Sequence, residues 1–439
     1  MSAGRYSWGR YPHHPQTLHH CAWRETVQPT LAAVAAEHGS LLPYGNGRSY
    51  GDSCLAASDQ LLSLRPLDRF IAADWQSGLI RAEAGMTLGE LLELAIPRGW
   101  FVPVTPGTKF VTLGGALAND VHGKNHHRRG TFGCHVPRFG LMRSDGAELV
   151  CSSSENSALY AATIGGLGLT GLIDWVELQL LPIRSSLLDV TTVRFGSLDE
   201  FFALSNELDQ RHEFAVSWID CLSRGKTAGR GVYSVADHAE AGPLACHRPS
   251  RLRVPVTPPL SLVNRLSLRL FNSAYYRLHR ADRHQSRNSH EPFFYPLDRI
   301  LNWNRIYGPH GFQQYQCVLP PGNAAAATRA LLDSIASAQN GSFLAVLKRF
   351  GDAPSPGLLS FPMPGVTLAL DFPQQGQRTQ RLFARLDAIV REAHGRLYPA
   401  KDAHMSGSDF RAAYPAWTQL EALRDPRILS RFWQRVIDQ

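Results

Sequence analysis

The chain has 439 residues, too many for one ordinary hydrophobic core, and its hydrophobic (44%) and charged (19%) fractions are those of a globular protein built as two domains. No stretch approaches the roughly eighteen consecutive apolar residues of a membrane span, and the opening Met1-Ser-Ala-Gly-Arg-Tyr-Ser-Trp8 lacks an apolar signal core, so a cytoplasmic location is expected. The net charge is +8, and seven scattered cysteines without a C-x-x-C pair argue against both a disulfide framework and a zinc site; no metal is expected.

Helical spacing of Leu31, Val34 and Ala35 predicts a helix over Thr30–His38, closed by Gly39. Leu41-Leu42-Pro43 then leads into a first glycine-rich turn, Tyr44-Gly-Asn-Gly-Arg-Ser-Tyr-Gly-Asp52. Leu61–Leu64 and Leu79–Ala84 read as strands, and Thr87–Arg98 as a helix with Thr87 at its N-cap. A second glycine-rich string, Pro106 to Ala118, runs into a polar cluster ending Asn119-Asp-Val-His-Gly-Lys-Asn-His-His127. Within it Thr112 caps a helix whose first turn holds Gly114, Gly115 and Ala116, small enough for an anionic group to approach. Glu155–Thr163 is expected as a helix, Gly165–Gly171 as a turn, and Leu172–Leu181 as a strand stopped by Pro182. That turn contains a literal G-x-G-x-x-G, Gly166 to Gly171, but it follows a helix and opens a strand, the reverse of a Rossmann dinucleotide site. No P-loop string occurs.

Glycines let backbone N–H groups close on a bulky anion without a Cβ in the way. Either turn alone reads equally well as an ordinary loop, and His122, His126 and His127 as solvated surface. Together they suit a large phosphate-bearing cofactor with polar side chains at its reactive end.

Beyond Pro182 the pattern changes. Strands are expected at Leu187–Phe195, Phe214–Ile219, Phe312–Leu319, Phe343–Phe350 and Val366–Phe372, interleaved with helices near Leu198–Arg211, Ala324–Gln339 and Gln380–Ala393. The Gly-, Pro-, Ser- and Arg-rich run Ser223–Pro259 is expected to be a long mobile loop, within a basic region of about residues 223–290. Ser261–Arg280 is expected as an amphipathic helix, with Val263, Leu270, Phe271, Ala274 and Leu278 on one side and Arg265, Arg269 and Arg280 on the other. From Arg248 to Arg287 there are nine arginines and a single acid, Asp282. Such a face suits a phosphorylated ligand or anionic lipid, or is simply solvated; no nucleic-acid module accompanies it, so nucleic acid is not expected as a partner.

The two glycine-rich strings, with Trp8-Gly-Arg10, Ile164 to Gly171, Trp303-Asn-Arg-Ile-Tyr-Gly308, Gly311-Phe-Gln-Gln-Tyr-Gln316, Leu359-Ser-Phe-Pro362 and Arg396-Leu-Tyr-Pro-Ala-Lys-Asp402, resemble the FAD-linked oxidases of the vanillyl-alcohol-oxidase superfamily. Within it the likeness is to the decaprenylphosphoryl-β-D-ribose 2-oxidase group. It spans nearly the whole chain and is weakest between about Leu222 and His290. The resemblance implies an α+β, two-domain PCMH-type fold. Residues 1–185 would form the FAD-binding domain, 186–395 a substrate domain with an antiparallel sheet and flanking helices, and 396–439 a segment that returns to complete the first.

By residue-to-residue match, the resemblance places along FAD the run Pro43, Tyr44, Gly45, Asn46, Gly47, Arg48, Ser49, Tyr50, Gly51, Asp52 and Ser53. It adds Gly107, Thr112, Leu113, Gly114, Gly115, Asn119, Asp120, Val121, His122, Ile173 and Tyr398. Relatives that bind FAD covalently carry a histidine where this chain has Arg48, which has no neutral imidazole nitrogen to offer, so noncovalent FAD is expected. Oxidising an alcohol requires loss of a hydroxyl proton and hydride transfer to the flavin. Lys401, His122, Tyr50 and Gln316 are the candidate catalytic residues, with His122 first for proton abstraction because imidazole titrates near neutrality. Lys124, Trp218, Gln314, Gln316, Lys348, Phe350, Thr367 and Lys401 are the candidate substrate contacts, the lysines for an anionic group; Tyr295 is a further candidate wall. At Thr367-Leu-Ala369 the chain departs from mycobacterial members of the group, which carry Asn and Cys at the first and third places.

The resemblance implies oxidation of the 2-hydroxyl of a polyprenyl-phosphoryl-ribose, the first half of an epimerisation to the arabinose donor used in cell-wall arabinan, with a separate short-chain reductase completing it. An aldose-, alditol- or lactone-type sugar oxidase is the alternative within the superfamily, and a non-catalytic flavin- or lipid-binding module the alternative outside catalysis. Arg265, Arg269 and Arg280 are expected to hold the protein peripherally on an anionic membrane.

Overall fold

Side-chain caps and strand alternation lay out the N-terminal half. The computed structural model describes residues 6–246, 252–279 and 283–438. Thr87 accepts from the Glu90 amide while the Glu90 carboxylate accepts from the Thr87 amide, a reciprocal cap that starts the helix Leu88–Ala95. Thr112 likewise accepts from the Gly115 amide and starts the short helix Leu113–Ala118. Three parallel strands, Thr17–His20, Gln60–Ser63 and Leu42–Tyr44, form one sheet with Gln60–Ser63 in the middle. An antiparallel five-stranded sheet runs in the order Phe70–Asp74, Leu79–Glu83, Leu172–Gln179, Arg138–Met142, Glu148–Ser152. The helix Ser157–Thr163 precedes the Gly165–Gly171 turn and the strand Leu172–Gln179 follows it, so the G-x-G-x-x-G string sits in the order that rules out a Rossmann site.

The second half is one antiparallel sheet of eight strands, in the order His284–Ser289, Leu187–Phe195, Gly231–His238, Phe214–Ile219, Ala345–Phe350, Gly365–Pro373, Phe312–Leu319, Arg396–Leu397. Its alternation is strict where it matters. Tyr315, Cys317 and Leu319 are buried in the core shared with the helices Leu198–Leu208, Ala324–Ala338 and Gln377–Glu392, which leaves Gln314 and Gln316 on the opposite face. Cross-strand register adds Asp371 opposite Gln314, Ala369 opposite Gln316, and Lys348 opposite Thr367 to that face.

Two expectations change. The run Ser223–Pro259 is not one loop, because Gly231–His238 is an interior strand paired on both sides, with Val232, Tyr233, Val235 and Ala236 buried. The rest of the basic region also holds the helix Arg265–Leu278 and the edge strand His284–Ser289. The helix turns Leu268 and Asn272 inward and leaves Leu270 and Leu278 facing solvent, while Phe271, 40% exposed, packs on Phe343. Asn272 donates to the Asp220 carboxylate and Tyr275 packs on Trp218, so polar and aromatic groups, not the leucines, seat the inner face. Arg280 lies outside the described residues.

The C-terminal segment first adds Arg396–Leu397 to the eight-stranded sheet, then returns to the N-terminal half. Leu41 donates to Arg427 O (2.9 Å) and accepts from the Leu429 amide (3.1 Å), and Arg431 donates to Leu55 O (2.8 Å). Arg435, on the helix Arg431–Ile437, holds both Asp52 oxygens (2.8 and 2.9 Å) and Asp402 (2.8 Å). Removing one partner of such a network strands the others: Arg435→Ala leaves the buried Asp52 carboxylate without its cation and Asp402 with His404 alone, at a cost of about 3–5 kcal/mol. We expect its thermal midpoint to fall by several degrees while Lys226→Ala, on the surface, leaves it in place; equal midpoints would remove the clamp from the account of stability.

Candidate active site

A cavity of about 470 Å³ lies where the N-terminal half meets the polar face of the eight-stranded sheet. The first glycine turn lines it continuously from Pro43 to Tyr50, with Ser53 and Cys54 beyond. At Gly47 the backbone has φ +58° and an added Cβ would sit 1.9 Å from the Tyr44 hydroxyl, so only glycine fits. The turn is held from three directions. Trp8 donates to Ser49 O (2.9 Å), Tyr50 donates to Ala400 O (3.2 Å), and the Asn46 side chain donates to Phe110 O (2.8 Å), tying the two glycine-rich turns together.

The second turn contributes Gly107, Thr112, Gly114, Gly115, Ala118 and Asn119, and continues into Val121, His122 and Lys124. A Cβ on Gly114 would meet the Ala84 Cβ at 2.9 Å, so glycine brings this helix directly onto the end of a strand, beside Ile173. Ile173 and Tyr398 complete this wall, and the Tyr398 hydroxyl donates to Asn119 O (3.0 Å).

Three buried polar atoms in this lining, Arg48 Nε, Ser53 Oγ and His122 Nδ1, have no hydrogen-bond partner in the protein. Unsatisfied buried groups cost about 1–3 kcal/mol each. A bound group rich in phosphate, hydroxyl and ring-nitrogen atoms, such as FAD, satisfies them, and the residues present fit it. Arg48 itself is sandwiched over the Trp8 and Phe110 rings, 4.3 and 5.1 Å from their centroids, rather than ion-paired on the surface.

At the sheet end, Gln316 Nε2 lies 3.0 Å from His122 Nε2 and 3.3 Å from Thr367 Oγ1, and Thr367 donates to Cys317 O (2.8 Å). The His122–Gln316 contact pairs the ring Nε2 with the amide, and the tautomer sets which of the two donates. Burial, then Lys348, His126 and Lys401, hold the pKa of His122 well below the usual histidine value.

The better-tuned groups lie beside it. Gln314 donates to the Asp371 carboxylate (2.7 Å), whose pKa burial raises to about 7 against the opposing pull of Gln314 and Lys401. Lys401 Nζ sits 3.7 Å over the Tyr50 ring, and burial lowers it to about 8 although Asp371 opposes the shift. Lys348 donates to Gly123 O (2.8 Å) and Lys124 to Phe293 O; burial lowers each to about 7, and Lys124 depresses Lys348 further. Trp8, Leu297, Ile300, Leu301 and Trp303 form an apolar wall of the same cavity.

Several expected residues stand behind the lining rather than in it. Asp52 is held by Arg435, Leu113 is core, and Gly51 backs onto Asp402, whose carbonyl oxygen an added Cβ would meet at 1.6 Å. Asp120 is buried on Gly133, Ser355 and Ser360. Trp218 is capped by Tyr275 and donates to Phe343 O (2.8 Å), and Phe350 packs on the His122 and His126 rings (4.8 and 4.5 Å). Tyr295 is fully buried against Thr105. Asp371, Asp298 and the apolar wall 297–303 were not singled out from sequence; the one available signal is Asp371 as a lone acid in the apolar strand Val366–Phe372.

Comparison with known proteins accords with this geometry. The family described as FAD binding domain matches residues 15–152. A decaprenylphosphoryl-beta-D-ribose oxidase of Mycolicibacterium smegmatis is 33% identical, over 92% of this chain and 94% of its own length. An uncharacterized protein of Streptomyces coelicolor is 34% identical over 77% of this chain and 95% of its own length. L-gulonolactone oxidase of Mus musculus is 27% identical, over 36% of this chain and 35% of its own. With the likeness to the mycobacterial protein running through both halves and the FAD cradle in place, the chain belongs to the decaprenylphosphoryl-beta-D-ribose oxidase family of FAD-dependent oxidoreductases acting on CH–OH groups.

Proposed function

We propose that this enzyme oxidises the 2-hydroxyl of a polyprenyl-phosphoryl-β-D-ribose to the 2-keto sugar, the first half of an epimerisation to an arabinose donor, with a separate short-chain reductase completing it and with peripheral contact to an anionic membrane. The observation that carries the substrate reading is the pair Lys124 and Lys348, two buried cations on one cavity that also has an apolar wall at Leu297, Ile300 and Leu301. A lipid phosphate offers an anion for the lysines and an apolar chain for that wall; a free sugar offers neither.

FAD would be held by Pro43–Tyr50, Gly107, Thr112, Gly114, Gly115, Asn119, Ile173 and Tyr398, and would supply the two-electron oxidant. Gln314 and Gln316, fixed by Asp371 and Thr367, orient the sugar hydroxyls. The hydroxyl proton passes to the Asp371 carboxylate, the cavity acid that burial raises to about 7, while the Lys401 ammonium stabilises negative charge on the substrate oxygen. His122, whose pKa burial holds well below the usual histidine value, is paired with Gln316 and positions that amide beside the sugar.

Arg48 over Trp8 and Phe110 leaves no histidine for a covalent link in the first turn. Acid precipitation of the holoenzyme is expected to release all flavin into the supernatant, and colour retained in the pellet would contradict noncovalent binding.

Lys401→Ala removes the cation beside Tyr50. Losing one such stabilising group costs about 2.7–4 kcal/mol, roughly a hundred- to thousandfold in turnover. Folding and flavin content should be retained; a loss under tenfold would make Lys401 a bystander.

The substrate test is anaerobic flavin bleaching by polyprenyl-phosphoryl-ribose beside ribose and alditols, with only the first expected to bleach efficiently. Lys124 and Lys348 bind an anion only when protonated, and their pKa values near 7 mean that the ammonium fraction falls as pH rises through neutrality. KM for the phosphorylated substrate should therefore be lowest below about pH 7 and rise above it. Equal bleaching by free sugars, with a KM indifferent to pH, would favour a sugar oxidase instead.

A further inference from the structure

Twelve large apolar side chains are exposed among the described residues, and eight of them come from one segment: Leu252, Val256, Leu260, Leu262, Leu266, Leu270, Phe271 and Leu278, with exposures from 40% at Phe271 to 81% at Leu278. Single exposed leucines need no explanation, but a concentration of this kind marks a surface that meets something apolar. On the helix Arg265–Leu278, the exposed Leu266, Leu270, Ala274 and Leu278 recur at every fourth position and form one ridge. The inner face is already occupied by the Asn272–Asp220 hydrogen bond and the Tyr275–Trp218 contact, so the ridge is not a core face that has lost its partner within the chain.

Charge narrows the choice of occupant. From Leu252 to His279 the segment carries Arg253, Arg265, Arg269 and Arg277 and no acidic residue. Among the described residues none of these four arginines makes an ion pair. Two copies of the chain meeting through this face would bring like charges together. A plain solvated basic face would account for the arginines but not for the leucines beside them. Apolar side chains flanked by unpaired cations match an interface of acyl chains beneath anionic headgroups.

The position supports the same occupant. Leu252–Arg253 pairs in parallel with Ile300–Leu301, and Leu262 donates to Ile306 O (2.8 Å). Leu297, Ile300 and Leu301 line the cavity, so the exposed segment is hydrogen-bonded to the cavity's apolar wall.

We propose that this face lies on an anionic bilayer, with Leu266, Leu270, Phe271 and Leu278 among the acyl chains and Arg265, Arg269 and Arg277 on lipid phosphates, so that a lipid-linked sugar enters the cavity along the wall 297–301. The purpose of this docking rests on the lipid-phosphate reading of the substrate; the docking itself is tested without any substrate.

The holoenzyme is sedimented with vesicles of pure phosphatidylcholine and with vesicles containing phosphatidylglycerol. We expect at least tenfold tighter binding to the second, part of which survives 0.5 M salt because insertion of leucines is not screened. Leu266→Gln/Leu270→Gln should lose the salt-resistant part, and Arg265→Gln/Arg269→Gln/Arg277→Gln the preference for phosphatidylglycerol. Both variants should reduce flavin normally with a short, water-soluble phosphoryl-ribose, which keeps a failure of docking distinct from a failure of the chemistry. Absence of binding to anionic vesicles at low salt would overturn the proposal. So would binding that neither variant weakens, or a dimer in solution that the leucine variant splits.

Discussion

The active site depends on two segments from opposite ends of the chain meeting without room for a side chain between them. Tyr50 donates to Ala400 O, and a Cβ on Gly51 would overlap the Asp402 carbonyl. Asp52 and Asp402, on either side of that contact, share Arg435. This close approach is what puts the Lys401 ammonium over the Tyr50 ring, and therefore what brings a cation from near the end of the sequence to a turn near its beginning. The glycine at 51 does not line the cavity, yet the cation's position follows from its missing side chain. The N-terminal strap has the matching role, since Gly9 accepts from Phe312 and donates to Tyr50 O, joining the turn to the strand that bears Gln314 and Gln316.

Around that junction the protein gathers ionisable groups that burial makes unfavourable. Lys124, Lys348, Lys401 and Asp371 all line the cavity with pKa values displaced toward neutrality, each chiefly by desolvation. A fold selected for stability alone would exchange such groups for apolar ones of similar volume. Their concentration at one cavity, with the orphaned Arg48, Ser53 and His122 atoms, is the pattern expected where a ligand supplies the missing partners. By contrast the Arg435 network is fully paired and lies behind the wall.

Much of this was legible in the sequence, and the reasons for the exceptions are physical. Thr87 and Thr112 announced their helices because a cap is a local interaction, and Leu187–Phe195, Phe214–Ile219 and Phe312–Leu319 announced themselves by alternation. The glycine turns were found by resemblance, and the structure places most of their residues on the cavity. Gly231–His238 was lost because glycine, serine and a polar end interrupt its apolar pattern, although pairing on both sides makes it interior. His284–Ser289 has no apolar residue at all and exists only by pairing at a sheet edge. Trp218 and Phe350 carry the right chemistry for a sugar wall, but the packing of Tyr275 and of His126 decides that they serve as support. Asp371 required the register of two strands far apart in sequence, which no local pattern contains.

The helix Arg265–Leu278 shows how the same periodicity can carry opposite meanings. Its spacing predicted an amphipathic helix without saying what shelters the apolar side, and it is seated by an asparagine, a leucine and a tyrosine, leaving the leucine ridge outward. An amphipathic pattern specifies only that one face avoids water; it does not say whether the protein or another phase provides the shelter. The inner face here is polar enough to need the protein's own partners, Asp220 above all, and that fixes the rotation of the helix about its axis. Once that rotation is fixed, the leucines cannot be core. The segment that carries them is hydrogen-bonded to the cavity's apolar wall, and the same cavity is lined by Lys124, Lys348, Lys401 and Asp371. The cavity thus joins an apolar wall, tied to an apolar surface, with a set of buried ionisable groups. A substrate with a lipid at one end and an oxidisable sugar at the other combines the same two characters.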